Sequence, residues 1–364
     1  MRGLRQCIRN LIFVVLGKAN QMIITVTMNP AIDRTISIPA LVRGGLNRIS
    51  HIEQDAGGKG INVSKTIRAL GGSSIAVGFI AGNAGEMIER TLKHSGIETD
   101  FIRISGETRT NTKVAEPDGT VTELNEPGPE ITRQDLALLI RKLESYAGPD
   151  TLFVLAGSTP SGAPPTIYQT ITEKMHALGA SVLPDCDGAL FAHTLKARPD
   201  IIKPNRFELE TYFSAESGST AESLFSAVTN PYSSGRNSDV RNADIKNTDI
   251  KNIDMRLLEM GRCLLHQGIR YAAISLGQDG ALFLGPDECY RSTALSVDVR
   301  STVGAGDAMV SALALGWERK LPFRDCAALA MAASAGAVTT PGTKPPSQAI
   351  VNELLGQVQL EFFK

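Results

Sequence analysis

Between residues 23 and 320 the sequence alternates short β-branched runs with longer amphipathic ones, and this alternation constrains the fold more than any other feature. "IITVTM" (residues 23–28) has the pattern of a buried strand and is closed by Asn29-Pro30. "SSIAVGFIAG", "TLFVLAG", "SVLPD", "DIIKPN" and "YAAISLG" read as further strands. The stretches between them, such as "GKGINVSKTIRALGG", "AGEMIERTLKHSG" and "AGDAMVSALALGWERK", read as helices, several with a glycine stop. Strand and helix in regular succession predict an α/β fold: a mainly parallel sheet covered by helices.

Two segments break the rhythm. Residues 34–54 and 107–125 alternate polar and apolar side chains, the second around a turn at Asp118-Gly119. They predict two exposed antiparallel ribbons forming a small β-sheet beside the body, in the position of a lid. Residues 214–254 differ again. They run into an imperfect five-residue repeat, "NSDVR NADIK NTDIK NIDMR" (237–256). Four copies are too few to stack into a β-helix, so the expectation is a charge-balanced surface insertion of low complexity. At the N-terminus, Arg2, Arg5 and Arg9 precede the apolar run "LIFVVL" (11–16). That run is too short to span a bilayer, and "GKANQ" is a poor cleavage site. Residues 1–21 therefore read as an extension outside the core, and 22–364 as one domain.

Composition narrows the function. A hydrophobic share of 42% against 21% charged residues allows a large ordered core. A net charge of −1 gives no electrostatic case for nucleic acid or an anionic membrane. Cys7, Cys186, Cys263, Cys289 and Cys326 form no C-x-x-C pair, and the five histidines form no H-x-x-x-H pair. Both facts argue against a disulfide framework or a zinc site and fit the reducing cytosol.

The chemistry concentrates in a few short motifs. In "STVGAGDAMVSALALG" (301–316) a glycine turn runs into a helix. Helix N-termini bind anions through unpaired N–H groups, yet Asp307 places a carboxylate there. On the local pattern Asp307 is either a helix cap or a base acting on something bound beside it. The motif is not a dinucleotide fingerprint, because Met309 stands where the third glycine would be, and it lacks the G-K-S/T of a P-loop. "AGGKGINV" (56–63) is a second such turn and adds Lys59 and Asn62. Asp33 follows the first strand, where open α/β sheets bind ligands; it serves either sugar hydroxyls or the Asn29-Pro30 turn. Arg109 and Lys113 share one face of a ribbon and suit a phosphoryl group. Asn205 and Glu208 in "IKPNRFE" form an N-x-x-E pair, read either as ligands of a hydrated Mg²⁺ or as a capping box. "SLGQDG" (275–280) is either a close-approach loop for a nucleotide or an ordinary hairpin turn.

Separately these signals stay ambiguous; their order does not. "TMNPAID", "GGKGINV", "TRTN", "AGSTPSG", "IKPNRFE", "SLGQDG" and "STVGAGD" follow one another as in ribokinase-like sugar kinases of the phosphofructokinase B group, which this chain resembles from Met22 to its C-terminus. Among them, "GGLNR", "TRTNTKV" and "TELNEPGP" are most similar to the 1-phosphofructokinases, then to the tagatose-6-phosphate kinases. The resemblance implies a three-layer α/β/α sandwich with a β-sheet lid, and phosphorylation of a sugar phosphate with ATP as donor and Mg²⁺ as cofactor. It implies fructose 1-phosphate as substrate, with tagatose 6-phosphate and fructose 6-phosphate as alternatives, and a non-catalytic sensor as the remote one. Carried over by position, Asp307 is the base, and Gly304, Ala305 and Gly306 form the anion hole. Asp33, Gly58, Lys59, Asn62, Arg109 and Ser158 contact the sugar phosphate. Lys203, Asn205, Glu208, Ser275, Leu276, Gly277, Gln278, Asp279, Gly280 and Gly306 serve the nucleotide, with Asn205 and Glu208 reaching Mg²⁺ through water. Thr159 and Ser161 depart from the usual "GSLPPG". Exposed ribbon edges invite a second copy, so a homodimer through the lid is expected.

Overall fold

The computed structural model describes residues 21–216 and 242–363, with side chains left undescribed at 216 and 242–253. The expected extension, apart from Gln21, and residues 217–241 of the expected insertion lie outside the described residues.

The first strand, Met22–Thr27, lies within a six-stranded parallel sheet. Thr151–Ala156 and then Ser181–Asp185 flank it on one side; Ile75–Ile80 and the short strands Glu98–Thr99 and Ile102–Arg103 lie on the other. Five of the first strand's six residues are buried, as expected of a strand covered on both faces. Its alternate side chains part ways. Ile24 and Val26 join Phe153 and Leu155 in one apolar cluster, with Leu139, Ile171, Phe191, Leu209 and Leu264 from the helices of that face. Ile23 joins Leu152 and Val154 in another, against Val63, Val310, Ala330 and Leu354. Two cores on opposite faces of one sheet make the three-layer α/β/α sandwich.

A second sheet of five strands adjoins the first. It runs Ile201–Ile202, Tyr271–Ser275, Ala281–Leu284, Cys289–Ser292 and Leu360–Phe363, antiparallel after its first pair. The Asp200 N–H donates to the Val182 carbonyl at 3.0 Å, tying the two sheets edge to edge.

The two ribbons are present, with a refinement. His51–Gly57 pairs antiparallel with Ala31–Ser37, and Arg109–Ala115 antiparallel with Val121–Asn125. The two hairpins then join through a parallel ladder between Ala31–Ser37 and Arg109–Ala115. Residues 38–50 are not strand, because Pro39 has no N–H to give a ladder and Gly44 turns the chain at φ 77°. One face carries Asp33, Asn111 and Lys113; the other carries Ile32, Ile36 and Val114. Lys344, from the body, meets Glu53 of this sheet at 2.5 Å.

The bounds of the expected insertion are corrected by two helices. Arg206–Glu216 extends past residue 214, and Asn242–His266 takes in the later repeats. The repeat is rich in Asn and Asp, which are weak helix formers, but the helix continues into the buried Leu257, Leu258 and Leu264, whose packing supports it. No helix among the described residues is long and apolar enough to cross a membrane.

Candidate active site

The turn at residue 304 opens the helix Ala305–Glu318. Gly304 is its N-cap, at φ 87°, a conformation that L side chains adopt only at a cost. The first intrahelical bond runs from the Ala308 N–H to the Gly304 carbonyl, leaving the N–H groups of Ala305, Gly306 and Asp307 unused by the helix. Asp307 is the third helical residue, and the cap makes no side-chain hydrogen bond. The cap reading of Asp307 is therefore replaced. Its carboxylate instead accepts from Asn62 Nδ2 at 2.8 Å, across 245 residues of sequence. Asn62 lies in the helix Lys59–Ala69, so the two glycine turns open onto one place.

Asp185, at the carboxyl end of its strand, organises the charges there. Its Oδ1 is 3.3 Å from Lys203 Nζ and its Oδ2 is 3.6 Å from Lys59 Nζ. Burial pushes the Asp185 pKa up, but Lys203 and Lys59 outweigh it and hold the group below its ordinary value. Burial likewise lowers Lys59, and Asp185, Asp307, Asp187 and Glu208 together raise it. Asp307 behaves differently. Burial, and then the Asp185 charge, push it up to about 7, against the opposing pull of Asn62, Lys59 and Lys203. Two neighbouring carboxylates are thus split, one held ionised and one poised near neutrality, a separation that marks acid–base sites. Gly306 lies beside this arrangement: a Cβ there would be in ordinary contact with Lys203 Nζ, at 3.4 Å. Sequence reading passed over Asp185. Its one signal is an aspartate ending a buried strand, the same placement that drew attention to Asp33.

The small sheet closes the other side of the cleft. Asp33 Oδ1 accepts from Asn111 Nδ2 at 3.2 Å, and its Oδ2 lies so near Gly57 that a Cβ there would sit 2.2 Å away. Gly58 takes φ 114° at the start of the Lys59 helix. Arg109 donates from Nη2 to the Asn29 carbonyl at 3.1 Å and from Nη1 to the Glu126 carbonyl at 3.3 Å. Burial lowers its pKa, with Asp33 opposing. Arg109 therefore ties the sheet to the body as well as facing the cleft. Lys113 pairs with Glu123 at 3.6 Å. Ser158 is exposed and follows Gly157, whose Cβ would lie 3.6 Å from that of Lys59. Among the described residues six buried side-chain atoms have no protein partner: Thr27 Oγ1, Asn29 Oδ1, Arg34 Nε, Asn62 Oδ1, Arg109 Nε and Asn111 Oδ1. Such atoms are rare in folded proteins. Apart from Arg34, which is on the other face of the small sheet, they belong to residues of the first strand and its following turn, the Lys59 helix and the Asp33 face of the small sheet, a pattern that suits a polar ligand site.

On the far side of Lys203 the candidate nucleotide residues separate. Asn205 and Glu208 form a reciprocal capping box: the Asn205 N–H donates to Glu208 Oε2, and the Glu208 N–H to Asn205 Oδ1, both at 2.8 Å. Glu208 Oε1 keeps no hydrogen bond among the described residues. Among the described residues no group of three or more acidic, His or Cys side chains is gathered to hold a metal by itself, so Glu208 and Asn205 offer oxygen donors that suit only a hydrated Mg²⁺. Ser275 to Gly280 form the turn of an antiparallel hairpin, and Ser275 bridges to Asn205. Ser275, Leu276, Gly277 and Asp279 line a cavity of about 360 Å³ with Asn205 and the exposed Phe207. A buried Arg291–Asp254 pair at 2.8 Å also lines it. Gln278 and Gly280 do not line it; Gly280 is needed because a Cβ would meet the Ser292 carbonyl at 2.0 Å. Asp307 and Lys59 also lie off this cavity. It adjoins the Asp185–Lys203–Asp307 cluster through Asn205 rather than containing it.

The profile of the pfkB family of carbohydrate kinases matches residues 22–237 and 245–350. A 1-phosphofructokinase of Bacillus subtilis (strain 168) is 30% identical over 339 residues, 93% of this chain and 99% of the relative. A 1-phosphofructokinase of Borreliella burgdorferi is 31% identical over 305 residues, covering 84% and 87%. Among solved structures, phosphofructokinase-2 from Escherichia coli in complex with potassium superposes with a TM-score of 0.77 at 23% identity, over 93% of this chain and 99% of that one. With both glycine turns, the buried carboxylate and the small sheet in place, the chain belongs to the pfkB family of carbohydrate kinases.

Proposed function

We propose that this chain phosphorylates fructose 1-phosphate at its 6-hydroxyl, with ATP as donor, to give fructose 1,6-bisphosphate. The observation that carries the chemistry is Asp307: a buried carboxylate near pKa 7, held by Asn62, at the mouth of a helix with unused N–H groups. A base matched to neutral pH is what proton removal from a sugar alcohol needs. The names of the two bacterial relatives support the choice of fructose 1-phosphate.

In this reading the sugar lies between Asp33 and Asp307. Asp307 takes the proton of the 6-hydroxyl as that oxygen attacks the γ-phosphorus and the β–γ bridging oxygen leaves with ADP. The N–H groups of Ala305, Gly306 and Asp307, with Lys59 and Lys203, receive the charge that spreads over the transferring group. Glu208, helped by Asn205, would hold Mg²⁺ through water; when bound, the ion neutralises phosphate charge. The four-stranded sheet acts as a lid that excludes water. Its outward apolar side exposes Leu124 at 60% and Ile52 at 45%, and the adjoining loop exposes Leu46 at 78%. A second copy of this chain, meeting the same patch across a two-fold axis, would cover it. The free thiols of Cys186, Cys263, Cys289 and Cys326 support the cytosol as the compartment.

An ADP-release assay with ATP and Mg²⁺ tests the reading. Fructose 1-phosphate should give the highest kcat/KM, above tagatose 6-phosphate and fructose 6-phosphate. A higher value for either competitor reassigns the substrate. Binding without turnover of any of the three makes the chain a sensor.

A further inference from the structure

We propose that Ser311 is a positioning residue for phosphoryl transfer, its hydroxyl holding the helix of Asp307 and the helix of Asn62 in the register at which those two side chains meet. The proposal rests on reading Asp307 as the base. Ser311 lies in the helix Ala305–Glu318, one turn after Asp307, and is fully buried. Its Oγ donates to the Asp307 carbonyl at 2.7 Å and to the Val63 carbonyl at 3.2 Å. Val63 follows Asn62 in the helix Lys59–Ala69. One hydroxyl thus reaches the main chain of the proposed base and the main chain beside its asparagine partner. The side-chain contact that it steadies runs from Asn62 Nδ2 to Asp307, at 2.8 Å.

The packing does not ask for a hydroxyl there. Val63 and Ile67 of one helix and Val310 and Ala314 of the other belong to a single buried apolar cluster. Serine is a poorer helix former than alanine, and a serine bonded four residues back tends to bend its helix. The hydroxyl has one proton for two acceptors, and only the longer contact, to Val63, passes between helices. A relative slide of about 0.5 Å carries that contact beyond hydrogen-bonding length. The Asn62 helix is held from another side in the same manner. Ser64 Oγ lies 2.7 Å from Thr25 Oγ1 of the first strand and accepts from Ser74 Oγ at 2.9 Å, all three residues being buried. Hydroxyls therefore secure positions 63 and 64, next to Asn62, in an otherwise apolar layer. Satisfied polar contacts of this kind select one arrangement among those that apolar packing tolerates. The groups that face Asp307 are Asp185, Asn62, Lys59 and Lys203. Of these Ser311 steadies Asn62, whose hydrogen bond lowers the Asp307 pKa against burial and the Asp185 charge.

The experiment compares the wild type with Ser311→Ala, and with Val310→Ala as a control that opens a cavity in the same apolar cluster while leaving every hydroxyl in place. In Ser311→Ala kcat should fall about 3- to 10-fold, with the KM for ATP within about twofold and no loss of thermal stability at pH 5. The acid limb of kcat/KM should move to higher pH, because Asn62 bonds the ionised carboxylate less well. Val310→Ala should lose stability and leave the limb in place. An unchanged kcat or an unmoved limb in Ser311→Ala overturns the proposal. So does an equal movement of the limb in Val310→Ala, which would reduce Ser311 to packing. Urea unfolding gives a reading that needs no turnover. A further raised Asp307 means that Ser311→Ala loses more stability than the wild type between pH 5 and pH 8; equal losses count against the proposal. A wild type inactive on fructose 1-phosphate, tagatose 6-phosphate and fructose 6-phosphate refutes the function proposed above, and the unfolding comparison then decides by itself whether Ser311 sets the Asn62–Asp307 contact. An active wild type with an indifferent variant refutes Ser311 alone.

Discussion

Asp307→Asn should make the protein more stable and nearly inactive, and the gain in stability should depend on pH. The carboxylate has an ordinary pKa of 3.8 and is pushed to about 7 in the fold, chiefly by burial and by Asp185. A raised carboxylate pKa means that the folded state favours the neutral form. Its contribution to stability is complete below pH 3.8 and is lost as pH rises through 7. Integrating the linkage relation between those two values, the ionising group withdraws about 2 kcal/mol by pH 5 and about 4 kcal/mol by pH 8. The asparagine keeps the shape, can still accept from Asn62, and does not titrate. The stability difference between variant and wild type should therefore widen by about 2–3 kcal/mol from pH 5 to pH 8. Urea unfolding at a series of pH values measures it. Turnover should fall by about 10²–10⁴, the usual worth of a positioned base, while ATP and sugar still bind. A stability difference that stays flat with pH would refute the buried, raised carboxylate. Near-normal turnover would refute its role as the base.

Three further outcomes are expected. In Asp185→Asn the acid limb of kcat/KM, set near pH 7 by Asp307, should move down by about one unit or more, because a like charge is lost and Lys59 and Lys203 are released toward Asp307; an unmoved limb in a pH–rate profile contradicts this. Gly60→Ala should cost about 1–3 kcal/mol in thermal unfolding, since its Cβ would fall 2.4 Å from Thr27 Oγ1, whereas Gly148→Ala, with nothing within 4 Å, should change little. Glu53→Gln removes the half-exposed link to Lys344 and should raise the sugar KM by no more than about threefold, an effect that vanishes at 1 M salt; a large, salt-independent effect would mean that Glu53 contacts substrate.

The parts legible in the sequence were those whose cause is local. Strand and helix periodicity, the glycine turns at 58 and 304 and the two ribbons all depend on near neighbours, and the structure keeps them. Asn205 and Glu208 were readable as a capping box for the same reason. Asp185 was not, because its meaning comes from Lys59 and Lys203, which only the folded sheet brings to it. Asn111 sat inside a recognised motif, yet nothing in "TRTN" says that its amide turns toward Asp33. The cap reading of Asp307 failed on the same ground: a partner 245 residues away outcompeted a cap at hand. The parallel ladder between the hairpins was equally hidden, since each ribbon alone satisfies the alternation rule.

That ladder has a mechanical consequence. Two hairpins hinged independently on the body could swing one at a time. Joined through the hydrogen bonds between Ala31–Ser37 and Arg109–Ala115, they form a single plate fastened at several chain crossings. The crossings near Gly57-Gly58 and Gly128 rely on glycine, with φ 114° at Gly58 and 88° at Gly128. A ligand that pulls on Asp33 must carry Arg109 and Asn111 along with it. If this sheet is the lid, recognition by any one strand is felt by all four, and closure is expected to be a single cooperative event.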